Sequence, residues 1–401
     1  MTKTTKRVLA IAAAVCLAVC AIVLFVLTRN KKIVEEEIPE KDLFFYDSGD
    51  QEISYSESAV FYIEEGLIHM IDTATGKDMI YCDRPNCTHE RGSTTCSAYI
   101  YGWGAGPVLF NNHLYYIGNM TDERVFQEQY LYEMDANGEN RKVVATLEGV
   151  QHPRYVLYRD HYVVGTYTNT SKLDENGRII GDIREAGAFV IDLENYTVQF
   201  GDKVTKGEPE TNGVYYENGA VYYFVSHWDN DVAQLMFEGL QGDYETFFYD
   251  HLLFDFYRYD IAKNETTLVK SISQAKSAHF VGNEVYYETR DGWYAIDLKG
   301  ETRKFEVPES AAGFCKSKDA VYFCCRDYST NTATYYRMKG EKVEVVMKRT
   351  IKEAFIFQCI CGNSVYIGYD DEQGNYCFGV LSLEDLDRGL FNVRKLRGYN
   401  E

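Results

Sequence analysis

Val221-Tyr222-Tyr223 decides the fold, because near copies recur as Val60-Phe61-Tyr62, Leu114-Tyr115-Tyr116, Tyr162-Val163-Val164, Val285-Tyr286-Tyr287, Val321-Tyr322-Phe323 and Val365-Tyr366-Ile367. Spacings run from 36 residues (Val285 to Val321) to 64 (Val221 to Val285), around the size of a four-stranded blade interrupted by insertions. After five of the seven copies comes a second aromatic or aliphatic strand ending in Asp: Ile68–Asp72, Leu131–Asp135, Phe189–Asp192, Tyr257–Asp260 and Tyr294–Asp297. In the last two copies the Asp is replaced, near Met338-Lys339-Gly340 and Leu383-Glu384. Turns such as Thr73-Ala74-Thr75-Gly76 and Ala136-Asn137-Gly138 supply the positive φ of a tight hairpin. The periods are those of strands, so the reading is all-β: a seven-bladed propeller over residues 43–399. A closed ring needs its ends joined, and Leu43-Phe44-Phe45-Tyr46 is expected to pair into the last blade beside Phe391-Asn392-Val393.

Composition agrees with one large globular unit. The 401 residues include 34 Tyr and 22 Phe but only 6 Pro, which excludes collagen, coiled coil and disorder. The first 32 residues stand apart: Lys3, Lys6 and Arg7 lead into an apolar run, Val8–Leu27, closed by Arg29-Asn30-Lys31-Lys32. Twenty residues at about 1.5 Å each span a hydrocarbon core of about 30 Å, so the run reads as an uncleaved single-span anchor. Cleavage as a signal peptide and lipidation at Cys20 are the alternatives. A stem over 33–42, with Glu35-Glu36-Glu37, then places the propeller outside the membrane. Beyond residue 32 there remain 35 basic against 61 acidic residues, which disfavours a nucleic-acid partner.

The Val-Tyr-Tyr and Tyr-x-x-Asp elements resemble the bacterial surface propellers of unknown function related to TolB-like and YWTD-like repeats. The resemblance covers about residues 43–399 and is greatest to membrane-anchored and lipoprotein members of Gram-positive anaerobes. It implies an extracytoplasmic binding role and supplies no catalytic residues.

Two cysteine patterns carry chemistry. Cys82, Cys87, His89 and Cys96 place three thiols and an imidazole within 15 residues between the first and second repeats. Four such ligands suit a tetrahedral, structural zinc ion; a disulfide among the three cysteines, or free thiols, are the competing readings. Six places before the central Val, the last three repeats carry His279, Cys315 and Cys359, where earlier ones carry Ser54, Val108, Val156 and Tyr215. Those side chains either meet in the central channel or fill the space between blades. Adjacent Cys324 and Cys325 must face opposite sides of their strand, and Cys361 and Cys377 are placed to meet across a hairpin.

The longest insertion, about 226–255, interleaves Trp228, Phe237, Tyr244, Phe247 and Phe248 with acidic residues. It is the candidate binding loop, able to stack on a sugar, or else a cap packed on its own blade. A shorter insertion, 167–185, reads as a solvated excursion. Asp371-Glu372-Gln373-Gly374 and Asp174-Glu175-Asn176-Gly177 read as hairpin turns, since they lack the carboxylate spacing of a calcium loop. No His-Glu-x-x-His, Gly-x-Ser-x-Gly or phosphate loop is present. The favoured function is a membrane-anchored binding or sensing module for a glycan, peptide or partner protein. The alternative is a hydrolase or lyase acting on an extracellular glycan.

Overall fold

The computed structural model describes residues 43–398 apart from 48–51, 57, 83, 91–95, 101–105, 120–128, 174–178, 230–243 and 309–310. The anchor reading of Val8–Leu27 and the stem lie outside these, and among the described residues no helix is long and apolar enough to cross a membrane.

Seven four-stranded antiparallel blades occupy residues 52–80, 108–147, 152–200, 210–272, 275–305, 311–350 and 355–398. In each, strands A to D run in chain order from the inner to the outer edge. Every repeat quoted above lies on strand B, for example Ala220–Trp228 in blade 4 and Glu284–Thr289 in blade 5.

Period-two alternation makes each blade two-faced, and the faces pack into seven separate cores, one per blade boundary. Val221 and Tyr223 face blade 3, with Leu157, Val164 and Val190. Tyr222 faces blade 5, with Phe256, Val285 and Tyr287. Likewise Val365 and Ile367 enter the core shared with blade 6, whereas Tyr366 enters the core shared with blade 1. In blade 3 this pattern shifts the frame of the repeat by one residue. Val163 faces blade 2 and Val164 faces blade 4, so the triple is Val163-Val164-Gly165. A Cβ at Gly165 would overlap the Phe189 ring, which fills the space that the final aromatic of the other triples takes. The Asp that ends strand C accepts backbone N–H bonds of the following turn: Asp72 from Thr75 (2.7 Å), Asp192 from Glu194 (2.8 Å), Asp260 from Lys263 (3.1 Å) and Asp297 from Lys299 (2.9 Å). In blade 7 Ser382 takes that place and caps a short helix, Leu383–Asp387.

Ring closure differs from the expectation. Leu43–Asp47 forms a strand, but it pairs with strand A of blade 3 (Phe44 opposite Leu157) and strand A of blade 1 (Phe45 opposite Ser54). Strand A of the intervening blade 2, Val108–Phe110, is only three residues long, which leaves room at the inner edge for the extra strand. Strand D of blade 7 is supplied by the C-terminal Arg394–Gly398, and Phe391-Asn392-Val393 precedes it outside any strand. Blades 7 and 1 are therefore joined by side chains. Tyr55, Val60, Tyr62 and Ile71 pack against Cys361, Tyr366, Val380 and Leu396. The Arg394 guanidinium donates to the Thr73 and Ala74 carbonyls, Arg397 pairs with Glu64 over the Tyr62 ring, and the Tyr366 hydroxyl donates to the Ser56 carbonyl at 2.5 Å.

The 167–185 insertion is an ordered extension with a buried base, while Lys172, Ile180, Gly181, Asp182 and Arg184 farther out are exposed as expected. It lengthens strands B and C of blade 3 into a ribbon, Tyr162–Leu173 with Ile179–Asp192. The amide of Asn169, itself buried, donates to Gly149 O and to Glu185 at its base. Asp371–Gly374 is a hairpin turn as expected; residues 174–178 lie outside the described residues.

Leu396→Ala, at a core position of the closing seam, should cost about 2–4 kcal/mol in chemical denaturation. Deleting residues 43–47 should strip hydrogen-exchange protection from Val156–Tyr158 while leaving Arg394–Gly398 protected. Loss of protection in blade 7 on that deletion would mean that the N-terminal strand closes the ring after all.

Candidate functional site

The cysteine–histidine group lies on the connector between blades 1 and 2. Its ligand atoms, the Sγ of Cys82, Cys87 and Cys96 and a ring nitrogen of His89, lie within 4.8 Å of one another, with Cys96 Sγ 3.6 Å from His89 Nδ1. Left-handed backbone at Asn86 (φ 61°) and His89 (φ 54°) and a turn from Cys87 N to Arg84 O fold the connector back on itself. Cys96 is part of the core between blades 1 and 2, and Cys82 and Cys87 pack against it. Burial opposes ionisation of Cys82, yet the polar groups of Ser97 and of the Arg84 backbone around its sulfur bring its thiol down to about 6. Burial drives Cys96 the other way, to about 11. All nine described cysteines are unbridged. His161, Asp192 and Glu194 also come together, but the two Asp192 oxygens already serve Glu194 N and Asn195 Nδ2, each at 2.8 Å.

His279, Cys315 and Cys359 do not meet in the channel. Each occupies the strand A position opposite the central residue of its repeat and enters a different inter-blade core. His279 lies against Trp293 and Phe314, Cys315 against the core of blades 6 and 7, and Cys359 against that of blades 7 and 1. The blade 3 counterpart is Leu157 rather than Val156, because of the one-residue shift. Cys324 and Cys325 do face opposite cores. Cys361 and Cys377 lie on strands A and C of blade 7 with strand B between them, so they do not meet; Cys361 Sγ instead lies 3.4 Å from Cys359 Sγ.

The aromatic insertion is split. Trp228 ends strand B of blade 4, and its ring packs on Phe247 (5.5 Å between centroids) in a helix, Tyr244–His251. Tyr244 and Phe248 are placed on that helix by its backbone, and Phe237 lies outside the described residues. The helix is tied down by Asp229 N to His251 O (3.0 Å), by a His251–Asp229 pair and, across to blade 5, by Arg290 with Asp250 (2.8 Å). For its described part, this is the cap reading of the insertion.

Beside the cap lies a groove that the sequence did not reveal. It encloses about 330 Å3 between blades 4 and 5, lined by Lys270, Ser271, Tyr287, Arg290, Asp291 and Tyr294 among others. Tyr287 and Tyr294 are stacked at 5.4 Å, and Lys304 Nζ lies 5.5 Å from the Tyr294 centroid. Behind the groove wall Asp255 links three partners: Ser271 Oγ donates to it (2.5 Å), Tyr257 OH donates to it (3.1 Å) and His227 Nε2 lies 3.1 Å away. The hydrogen bond to Asp255 holds His227 above its ordinary pKa. Burial would raise Asp255, but hydrogen bonds from His227 and Ser271 keep it below the usual carboxylate range. Asp255, not the imidazole, is the partner of Ser271, so the three do not form a nucleophile–base relay. These residues sit on two blades, on six strands and a turn, so no local motif announces them.

No family model and no curated protein matches this chain. Solved structures do. A puromycin-hydrolyzing peptidase of Mycobacterium tuberculosis aligns at a TM-score of 0.56 with 11% identity, over 87% of this chain and 53% of the other. The β-propeller domain of the Trilobed protease from Pyrococcus furiosus, described as having an open velcro topology, aligns at 0.50 with 9% identity, over 90% of this chain and 100% of that domain. The chain thus spans about half the length of the peptidase and the whole of an isolated propeller domain. Likeness at these identities is likeness of fold, and the chain is a seven-bladed β-propeller.

Proposed function

We propose that the protein is a binding module, held at the outer face of a membrane by Val8–Leu27, whose propeller takes an acidic glycan in the groove between blades 4 and 5. The observation that carries this reading is the groove's lining. The stacked Tyr287–Tyr294 pair offers an aromatic wall for sugar rings, Ser271 offers a hydroxyl, and Lys270 and Arg290 line the groove beside one carboxylate, Asp291, with Arg290 also paired to Asp250 of the cap. A volume of about 330 Å3 fits the lower end of small-ligand sites. The described part of the cap, with Trp228 on Phe247, borders the groove through the Arg290–Asp250 pair. The groove lies at the end of the propeller that carries the B–C turns, where loop length varies without disturbing the blades.

A second reading, a hydrolase or lyase acting on the same glycan, is favoured by the His227–Asp255 pair behind Ser271. An imidazole held above its ordinary pKa keeps its proton to higher pH, which suits a proton donor. The propeller-bearing peptidase lends this reading its fold and nothing further.

Calorimetric titration with a uronic-acid oligosaccharide and its neutral counterpart tests the binding reading. The acidic ligand should bind, and Arg290→Gln or Tyr294→Ala should weaken it about tenfold or more, the worth of one charge-assisted contact. Equal binding of both sugars, or no binding of either, would refute it. Release of reducing or unsaturated ends that vanishes in His227→Ala while titration is unchanged would establish the enzyme instead.

The same pair predicts a pH signature in stability. A raised His227 stabilises the fold at low pH and loses its effect as pH rises through its folded pKa. A lowered Asp255 stabilises at high pH and loses its effect as pH falls through its own. The two overlap in mildly acidic solution, so His227→Ala should cost about 2 kcal/mol near about pH 5–6 and less once the pH has risen through the folded pKa of His227. A cost independent of pH in thermal melts would rule out a charged pair.

A further inference from the structure

We infer that Cys82, Cys87, His89 and Cys96 together hold one tetrahedral zinc-class divalent ion, and that this ion locks the connector between blades 1 and 2 against both blades. Metal–sulfur bonds of about 2.3 Å and a metal–nitrogen bond of about 2.0 Å place tetrahedral ligand atoms about 3.5–3.8 Å apart. The four ligand atoms converge to within 4.8 Å, and the Cys96 Sγ to His89 Nδ1 distance of 3.6 Å falls inside that range. Sulfur pairing competes poorly as an account of the geometry. A disulfide needs two sulfurs at about 2.05 Å and discards the third thiol and the imidazole, whereas all four groups converge here. Four protein ligands close a tetrahedral ion and leave no open position, so its role is structural.

What such an ion would hold together follows from the connector's other contacts. Its two ends bond to blade 1: Tyr81 N donates to Ile68 O, Ile68 N to Ala98 O, and Ile100 N to Gly66 O. They also bond to blade 2: the Tyr81 hydroxyl donates to Ala136 O, and the Arg141 guanidinium donates to Tyr99 O. Cys82 follows one end and Cys96 precedes the other, so one ion fastens both ends of a polar loop that lacks the apolar side chains to order itself. Cys96 then carries the fastening directly into the core of Ile68, Leu114 and Tyr116.

The test uses the full propeller purified under reductant and reconstituted with zinc or with cobalt(II). One metal ion per chain is expected, with the thiolate-to-cobalt absorption and visible bands of a tetrahedral site. Cys87→Ser and His89→Ala, at partly exposed positions, should lose that spectrum and the stoichiometric metal. Cys96→Ser, in the core, is the variant expected to fold poorly and is not needed for the decision. Chelation of the native protein should remove hydrogen-exchange protection at Ala98–Ile100 and leave blades 4 and 5 unchanged. Metal-free protein with three freely alkylated thiols, or with a disulfide among Cys82, Cys87 and Cys96, would overturn the inference. So would metal that survives both substitutions.

Discussion

Every blade has to satisfy two neighbours at once, and that constraint governs the rest of the molecule. Alternate residues of one strand point to opposite faces, so each repeat feeds two cores with three consecutive side chains. Val221 and Tyr223 belong to one boundary, Tyr222 to the next. No blade has a core of its own. Stability is therefore distributed around the ring through nearest-neighbour boundaries, and each boundary has to be completed by residues from two repeats.

Two boundaries need additional means. At the seam between blades 7 and 1 the chain ends do not share a sheet, and eight buried side chains with two arginines bridge the gap. The N-terminal strand is spent elsewhere, against the inner strands of blades 1 and 3, where blade 2 contributes only three residues to its inner strand. At the boundary between blades 1 and 2 a long polar connector crosses the rim, and the cysteine–histidine group gathers there. Both solutions use side-chain chemistry where backbone pairing is absent.

The boundary between blades 4 and 5 differs in kind. Its core of aromatic residues is the rigid base for a helix cap and, beside it, an open groove. Arg290 reaches back to Asp250 of the cap, so the groove's cation, the cap and the blade 5 turn form one unit. The His227–Asp255–Ser271 network lies directly behind and couples the stem of the insertion to the groove wall.

The blade count, the strand that carries each repeat and the grouping of Cys82, Cys87, His89 and Cys96 were legible in the amino-acid sequence. Local periodicity sets a strand's two faces, the turn-capping Asp is local, and the three thiols and the imidazole lie within one short segment. The sequence misplaced the blade 3 frame by one residue because Gly165, lacking a side chain, broke the aromatic pattern that Phe189 completes from another strand. Ring closure, the separation of His279, Cys315 and Cys359 into different cores, and the groove were decided by tertiary structure alone. Each depends on which face of one blade meets which face of the next, and those partners lie on different strands or blades, linked by no local spacing. Leu43–Asp47 could pair with any free edge. It takes the inner edges of blades 1 and 3, on either side of the short inner strand Val108–Phe110, and that choice is a property of the assembled ring.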